Sequence, residues 1–191
     1  MSCWIVIPIK APADCKTRLA SALDEAGRRA LVASMLQRTF TAASAVGGKV
    51  LILGPSRHGL PENVPLLPDA GHGLNAALAS AKCAAARAGV DRLIPLSADL
   101  PLITADDVAA LINVQSDALA AAPDRAGRGT NALSLPLPAA AAFRFHYGEG
   151  SLAAHRDEAA RHRLPFVEVV RPGLQFDIDE VEDLTADFLV G

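Results

Sequence analysis

Three short runs, WIVIPIK (4–10), KVLILG (49–54) and RLIPLSA (92–98), are almost continuously apolar and rich in Ile, Val and Leu. A strand covered on both faces has this pattern, because neither side of its pleat meets water. Between the first two runs, from about Asp24 to Ala45, the period changes. Val32, Met35, Leu36 and Phe40 recur at helical spacing, with Arg28, Arg29 and Arg38 on other faces. Between the second and third, GLNAALASAKCAAARAG (73–89) predicts an alanine-rich helix closed by Gly89, the residue type that ends helices in the left-handed region. Thr104 and Asp107 then have the spacing of an N-terminal capping pair. ALAAAP (118–123) and TNALSLP (130–136) predict strands, and SLAAHRDEAARHR (151–163) predicts a helix. FVEVV (166–170) and LQFDI (174–178) predict two more strands, and a short helix is expected from near Asp179.

Strands alternating with helices predict an α/β chain, its mostly parallel sheet lying between two helical layers. Right-handed crossovers then bring the strands' carboxyl ends to one edge, where open sheets of this kind hold ligands. No repeat, low-complexity linker or shift of composition divides residues 1–191, so one domain is expected. With 51% hydrophobic residues the chain can build a real core, since chains of this size bury about 70% of their unfolded surface.

Charge and composition remove several functions. The net charge is −3, without a basic block, and the chain has one Trp and one Tyr. Nucleic acid requires a concentrated basic face or an aromatic stacking platform, so no such partner is expected. No apolar stretch reaches the roughly 18 residues, free of charge and proline, of a membrane span. The N-terminal MSCWIVIPIKAP lacks a basic n-region and a small-residue cleavage site and reads as a first strand. Cys3, Cys15 and Cys83 are odd in number and outside any CxxC pattern, which fits a reduced, cytoplasmic protein. HExxH, GxSxG, Walker and GxGxxG motifs are missing, and the five histidines show no paired-ligand spacing.

Polar residues at the strand ends carry the candidate chemistry. LIPLSADLPLI (93–103) stops on a bare acid, Asp99, although a buried carboxylate costs several kcal/mol unless something neutralises it. In QFDID, Gln175, Asp177 and Asp179 project to one side of an extended chain and Phe176 and Ile178 to the other. Acids from separate strand ends would make an oxygen-only site for a hard cation, with Asp99, Asp177 and Asp179 as ligands of Mg²⁺. Asp179 alternatively caps the final short helix, in a box closed by Glu182. Lys10, Lys16 and Arg18 form either an exposed basic turn or a clamp on a polyphosphate. Gly148, Gly150 and Ser151 precede a helix, where Ser151 is either an N-cap or part of an anion pocket. Thr130 would add a hydroxyl to that pocket.

Together these segments resemble the 2-phospho-L-lactate guanylyltransferase family, which includes the phosphoenolpyruvate and 3-phospho-D-glycerate guanylyltransferases of coenzyme F(420) biosynthesis. The resemblance runs almost end to end through IPIKAPADCKTRLA, GLNAALASA, LSADLPLIT, APDRAGRGTNAL, FHYGEGSLAAH and RPGLQFDIDEVEDL. It implies a single Rossmann-like, three-layer domain of the nucleotide-diphospho-sugar transferase type. It implies transfer of GMP from GTP to the phosphate of a small phospho-carboxylic acid, with release of pyrophosphate. Thr130, Gly148 and Ser151 would then hold the acid, Asp99 and Asp177 would bind magnesium, and Lys10, Lys16, Arg18 and Asn75 would face GTP. Where related sugar-nucleotide and molybdenum-cofactor enzymes carry a glycine-rich loop, this chain carries KAPADCKTR. The implied partners are GTP, the acid and the downstream transferase, with room for a homodimer. A molybdopterin or sugar-phosphate acceptor on the same fold, or a nucleotide-binding regulator without catalysis, are the alternatives.

Overall fold

Among the described residues seven strands form one sheet, in the order Leu66–Leu67, Lys49–Leu53, Cys3–Pro8, Arg92–Pro95, Thr130–Pro136, Leu119–Pro123 and Phe166–Glu168, and Thr130–Pro136 alone runs against the rest. The computed structural model describes residues 1–11, 15–69 and 71–184. In chain order the elements are β1 (Cys3–Pro8), α1 (Glu25–Ser44), β2 (Lys49–Leu53), β3 (Leu66–Leu67), α2 (Leu74–Arg87), β4 (Arg92–Pro95) and α3 (Ala105–Ile112). There follow β5 (Leu119–Pro123), β6 (Thr130–Pro136), α4 (Ser151–Arg161), β7 (Phe166–Glu168) and α5 (Pro172–Gln175). Two 3-10 turns, Thr17–Ser21 and Val181–Asp183, flank the candidate site.

Alternation along the strands builds the three layers. In β1, Ile5 and Ile7 are fully buried against Leu31, Val32, Met35 and Leu36 of α1, in a core shared with Val108 and Leu111 of α3. Val6, between them, faces the other core, with Ala77, Leu78 and Ala81 of α2 and Leu152 and Ala159 of α4. Both faces of the central strands are therefore dry, as their unbroken apolar runs require. The predicted helices form with small changes at their ends. Asp24 caps α1 by accepting from the Gly27 amide, Thr104 and Asp107 make the expected capping box, and Gly89 adopts φ +67 just beyond α2.

Three local expectations fail. Residues 174–178 are not a strand. Pro172, whose fixed φ suits a first helical turn, starts α5, and Gly173 lies so close to α3 that a Cβ there would stand 2.1 Å from Asp107 Oδ2. Beyond Gln175 the chain is extended, and the Ile178 amide donates to the Asp99 carbonyl at 3.3 Å. Asp179 is not the cap of the last turn. The box shifts by one residue, to Glu180 and Asp183, and the segment is a single 3-10 turn. Ser151 is not an N-cap either, since Gly150 holds that position at φ +68 and Ser151 is the first helical residue. β3 lies outside the sequence pattern, because two residues are too few to show a period.

The reversed strand matters for function. Because β6 is antiparallel to β4 and β5, its first residues, Thr130 and Asn131, reach the edge where the other strands end. The Ser97 amide donates to the Asn131 carbonyl at 2.9 Å, which fixes that edge beside Asp99.

Candidate active site

Asp99 follows β4, and its partner in this structure is a cation. Lys16 Nζ lies 2.5 Å from Asp99 Oδ2 and 2.8 Å from Asp179 Oδ1. Burial alone would lower the lysine's pKa, but the facing carboxylates of Asp99 and Asp179 outweigh it and hold the ammonium above its ordinary value. Lys16 occupies φ +50, a left-handed conformation that costs a non-glycine residue about 1 kcal/mol or more. The double ion pair accompanies that strain. Next to it, Arg18 Nη1 donates to Glu180 Oε1 at 2.8 Å, both groups being exposed. Pro12–Asp14 of the basic loop lie outside the described residues.

Among the described residues, no cation pairs with Asp177 in this way. Carboxylate oxygens of Asp99, Asp177 and Asp179 all lie within 4.8 Å of one another. Burial, then the charges of Asp99 and Asp179, push the Asp177 carboxyl up to about 6. Its contact with the rest of the site is the Asn131 amide, which donates at 3.4 Å. Ile178, fully buried, anchors the chain between the two acids. A tether farther back holds the segment down. Asp107 accepts from the Thr104 amide and hydroxyl and from Arg171 Nε at 2.9 Å, while Asn131 Nδ2 donates to the Leu174 carbonyl at 2.9 Å.

Beside these acids opens a cleft of about 490 Å³. Lys10, Lys16, Arg18, Asp99 and Asp179 line its charged side, and Ile9, Leu53, Leu74 and Ala77 line an apolar side. A cleft with one charged wall and one apolar wall suits a nucleotide, with phosphates against the first and the base against the second. Gly54 lets the ends of β1 and β2 close together on the apolar side: a Cβ there would stand 2.3 Å from the Ile9 carbonyl.

The other half of the site is buried and neutral. Thr130 and Ser151 are 6% and 2% exposed, and their hydroxyl oxygens are 3.1 Å apart. Gly148, at φ +139, accepts the Ser151 amide at 3.2 Å, and the Leu152 amide goes to the Arg128 carbonyl at 3.0 Å. Two amides in the first turn of α4 are thus committed to the protein, so the hydroxyls are the better-placed donors for an anion. Asn75 clips this loop to α2: its amide donates to the Tyr147 carbonyl and accepts the Tyr147 amide, at 3.0 and 2.8 Å.

Comparison with known proteins decides the family. The model for the family described as "Guanylyl transferase CofC like" matches residues 3–191. The chain belongs to the CofC-like guanylyl transferase family. A phosphoenolpyruvate guanylyltransferase of Rubrobacter xylanophilus is 40% identical over 191 residues, covering 96% of this chain and 92% of the relative. One of Sphaerobacter thermophilus is 37% identical, covering 96% and 91%. A solved structure from Desulfovibrio desulfuricans G20, described as a nucleotide-diphospho-sugar transferase, superposes with a TM-score of 0.78 at 20% identity, covering 96% of this chain and 85% of that one. Glucosyl-3-phosphoglycerate synthase of Mycobacterium tuberculosis, solved with Mn²⁺, uridine diphosphate and phosphoglyceric acid, gives 0.63 at 12% identity, covering 94% and 70%. These likenesses show the α/β Rossmann-like fold, and the family makes the chain a nucleotidyltransferase.

In this CofC-like chain the structure joins Lys16, Asp99 and Asp179 directly, sets Asp177 beside them, and pairs Thr130 with Ser151. Lys10 lines the cleft, whereas Asn75 does not; Gly73 and Leu74 of its motif do. Two residues escape sequence reasoning. Asn131 bridges β6 to the acidic segment, and the Gly-Thr-Asn segment is its only signal. His155 lies one helical turn beyond Ser151 and bonds to Thr130. Its spacing from Ser151 is that of neighbours on one helix face. No helix of the described residues is long and apolar enough to cross a membrane.

Proposed function

We propose that this protein transfers the guanylyl group of GTP to the phosphate of a small phospho-carboxylic acid, releasing pyrophosphate. Phosphoenolpyruvate is the first candidate acceptor, since the relatives at 40% and 37% identity bear its name. 2-Phospho-L-lactate and 3-phospho-D-glycerate share its phosphate and carboxylate and are the competing acceptors. The product would enter coenzyme F(420) biosynthesis through a downstream transferase.

The observation that carries this reading is the grouping of Asp99, Asp177 and Asp179 at the edge of a cleft that Asp99, Asp179, Lys10, Lys16 and Arg18 line. The attacking atom would be a phosphate oxygen, ionised at neutral pH, so no general base is required. The obstacle is charge. Two unit charges 4 Å apart repel by about 4 kcal/mol at an effective dielectric near 20, and each substrate carries several. An all-oxygen donor set suits Mg²⁺, and the Asp177 carboxyl is raised first by burial and then by the charges of Asp99 and Asp179, which a cation would offset. Asp99, Asp177 and Asp179 would hold it, and when bound it would neutralise phosphate charge and align the groups for in-line displacement. Lys16, released from the acids as the cation takes them, and Arg18 would face the phosphates of GTP. Lys10 would extend that contact from the cleft wall. Thr130 and Ser151 would donate to the acceptor, with the Gly148 turn shaping its pocket.

Mass spectrometry of products from GTP and Mg²⁺ with each acid tests the reading. A guanylylated phosphoenolpyruvate with stoichiometric pyrophosphate is expected, with the downstream enzyme present to trap the product. Pyrophosphate release only with a sugar phosphate or molybdopterin, or no release with any acceptor, would overturn it.

A further inference from the structure

His155 is fully buried, and its two ring nitrogens have different partners. The His146 amide lies 2.9 Å from Nε2. A main-chain amide can only donate, so Nε2 carries no proton, and the neutral ring keeps its proton on Nδ1. Burial first, then the nearby His146, pushes the imidazole down to about 4, against the opposing pull of Glu158. Nδ1 is 3.1 Å from Thr130 Oγ1. The ring is held there by Phe143, stacked at 5.9 Å, and by Tyr147, edge-on at 5.0 Å.

These partners fix where each proton goes. Thr130 accepts from His155, so it cannot return its own proton to that nitrogen. Thr130 and Ser151 then hold two hydroxyl protons but share one oxygen–oxygen link, which uses one of them. The second has no acceptor among the described residues. With the opposite tautomer, Thr130 would donate to His155 and Ser151 to Thr130, and no proton would be left over.

We infer that His155 is a positioning residue for the acceptor: by donating to Thr130 it turns one proton of the Thr130–Ser151 pair toward an oxygen of the bound phospho-acid. This rests on the assignment of Thr130 and Ser151 to the acceptor. Accepting the imidazole proton also polarises the hydroxyl, which strengthens it as a donor to an anion.

Two substitutions separate this role from mere space filling. Asn sets its amide nitrogen near the position of Nδ1, so His155→Asn keeps a donor to Thr130. Gln reaches the position of Nε2, so His155→Gln keeps an acceptor for the His146 amide and loses that donor. The expected KM for phosphoenolpyruvate stays within about 3-fold in His155→Asn and rises about 10-fold or more in His155→Gln, with the KM for GTP unchanged in both. An equal rise in both variants, or a larger one for Asn, would overturn the inference. Thr130→Val and Ser151→Ala serve as the control on the assignment beneath it. If they leave the KM for the acid unchanged, the acceptor site itself is misassigned, whatever His155 does. Long-range ¹H–¹⁵N correlation of the unmodified protein needs no variant to fold. A protonated Nδ1 at pH 7 supports the relay, and a protonated Nε2 overturns it.

Discussion

Under the proposed function, the acid half of the site and the hydroxyl half would handle anions by opposite means. Around Asp99 the groups are charged and partly wet, and Lys16 is ion-paired to Asp99 and Asp179. Around Thr130 the groups are neutral and buried, and their protons are directed by the Nδ1 proton of His155, which is fixed because Nε2 accepts the His146 amide. Charges left in a dry pocket need a partner at all times, whereas hydroxyl dipoles can wait for a ligand at little cost. Under the proposed function the ion-paired half would take metal and triphosphate, and the pre-oriented half a small acid of fixed shape.

The largest effect should come from breaking the acid half. Asp99→Asn and Asp177→Asn are each expected to lower kcat about 1000-fold in a pyrophosphate-release assay at limiting magnesium. Near-normal turnover in both would remove the acids from the chemistry. Lys16→Met should cost less, about 100-fold in kcat/KM. It should also increase the stabilisation that Mg²⁺ alone gives in thermal unfolding, since the competing ammonium is gone. An unchanged shift on adding Mg²⁺ would mean that Lys16 and the cation do not compete.

Stability against pH sharpens the contrast, because the two halves slope in opposite directions. Asp177 is raised from 3.8 to about 6 on folding, so its penalty is absent below pH 4 and complete above pH 6. His155 is lowered from 6.5 to about 4, so its contribution is complete above pH 6.5 and is lost on acidification toward pH 4. Each is worth about 1–3 kcal/mol across its window. In denaturant titrations without metal, Asp177→Asn should gain stability over the parent as pH rises from 4 to 6. His155→Asn should flatten the loss of stability seen below pH 6.5. Parallel curves for parent and variant would contradict the assignment in either case.

Smaller still is the effect of Gly173→Ala, which sets a methyl against Asp107 at the tether of the acidic segment. A loss of about 1–3 kcal/mol in stability and of about 10-fold in activity is expected, and unchanged kinetics would show the tether to be dispensable. The smallest effect belongs to the exposed Arg18–Glu180 pair, whose coupling in a double-mutant cycle should stay below about 1 kcal/mol.

Much of this fold is legible in the chain because its signals are local. Apolar runs mark β1, β2 and β4, the helical period marks α1, and Thr104 with Asp107 marks the start of α3. Asp99 is legible for a related reason: a charge at the end of a dry strand demands a partner, and the basic loop supplies one. The hidden features depend on contacts across long stretches of chain. The QFDID alternation looks like a strand, but Gly173 and Arg171 tie that segment to Asp107 of α3, which no local pattern records. Arg92, the first residue of β4, is fully buried and donates to the carbonyls of Gln115, Ser116, Ala118 and Ser134, all distant in sequence. His155 matches no motif because its role lies in which nitrogen holds the proton, a property set by the His146 amide.

Thr130 and Asn131 are consecutive on β6, so one side chain leaves toward α4 and the other toward the acids. A one-residue slip of β6 against β4 and β5 would exchange the hydroxyl and the amide between the two sides of the sheet. The turn before β6 can lengthen or shorten only if this dipeptide keeps its phase, which makes it the least negotiable pair of positions for anyone redesigning the pocket.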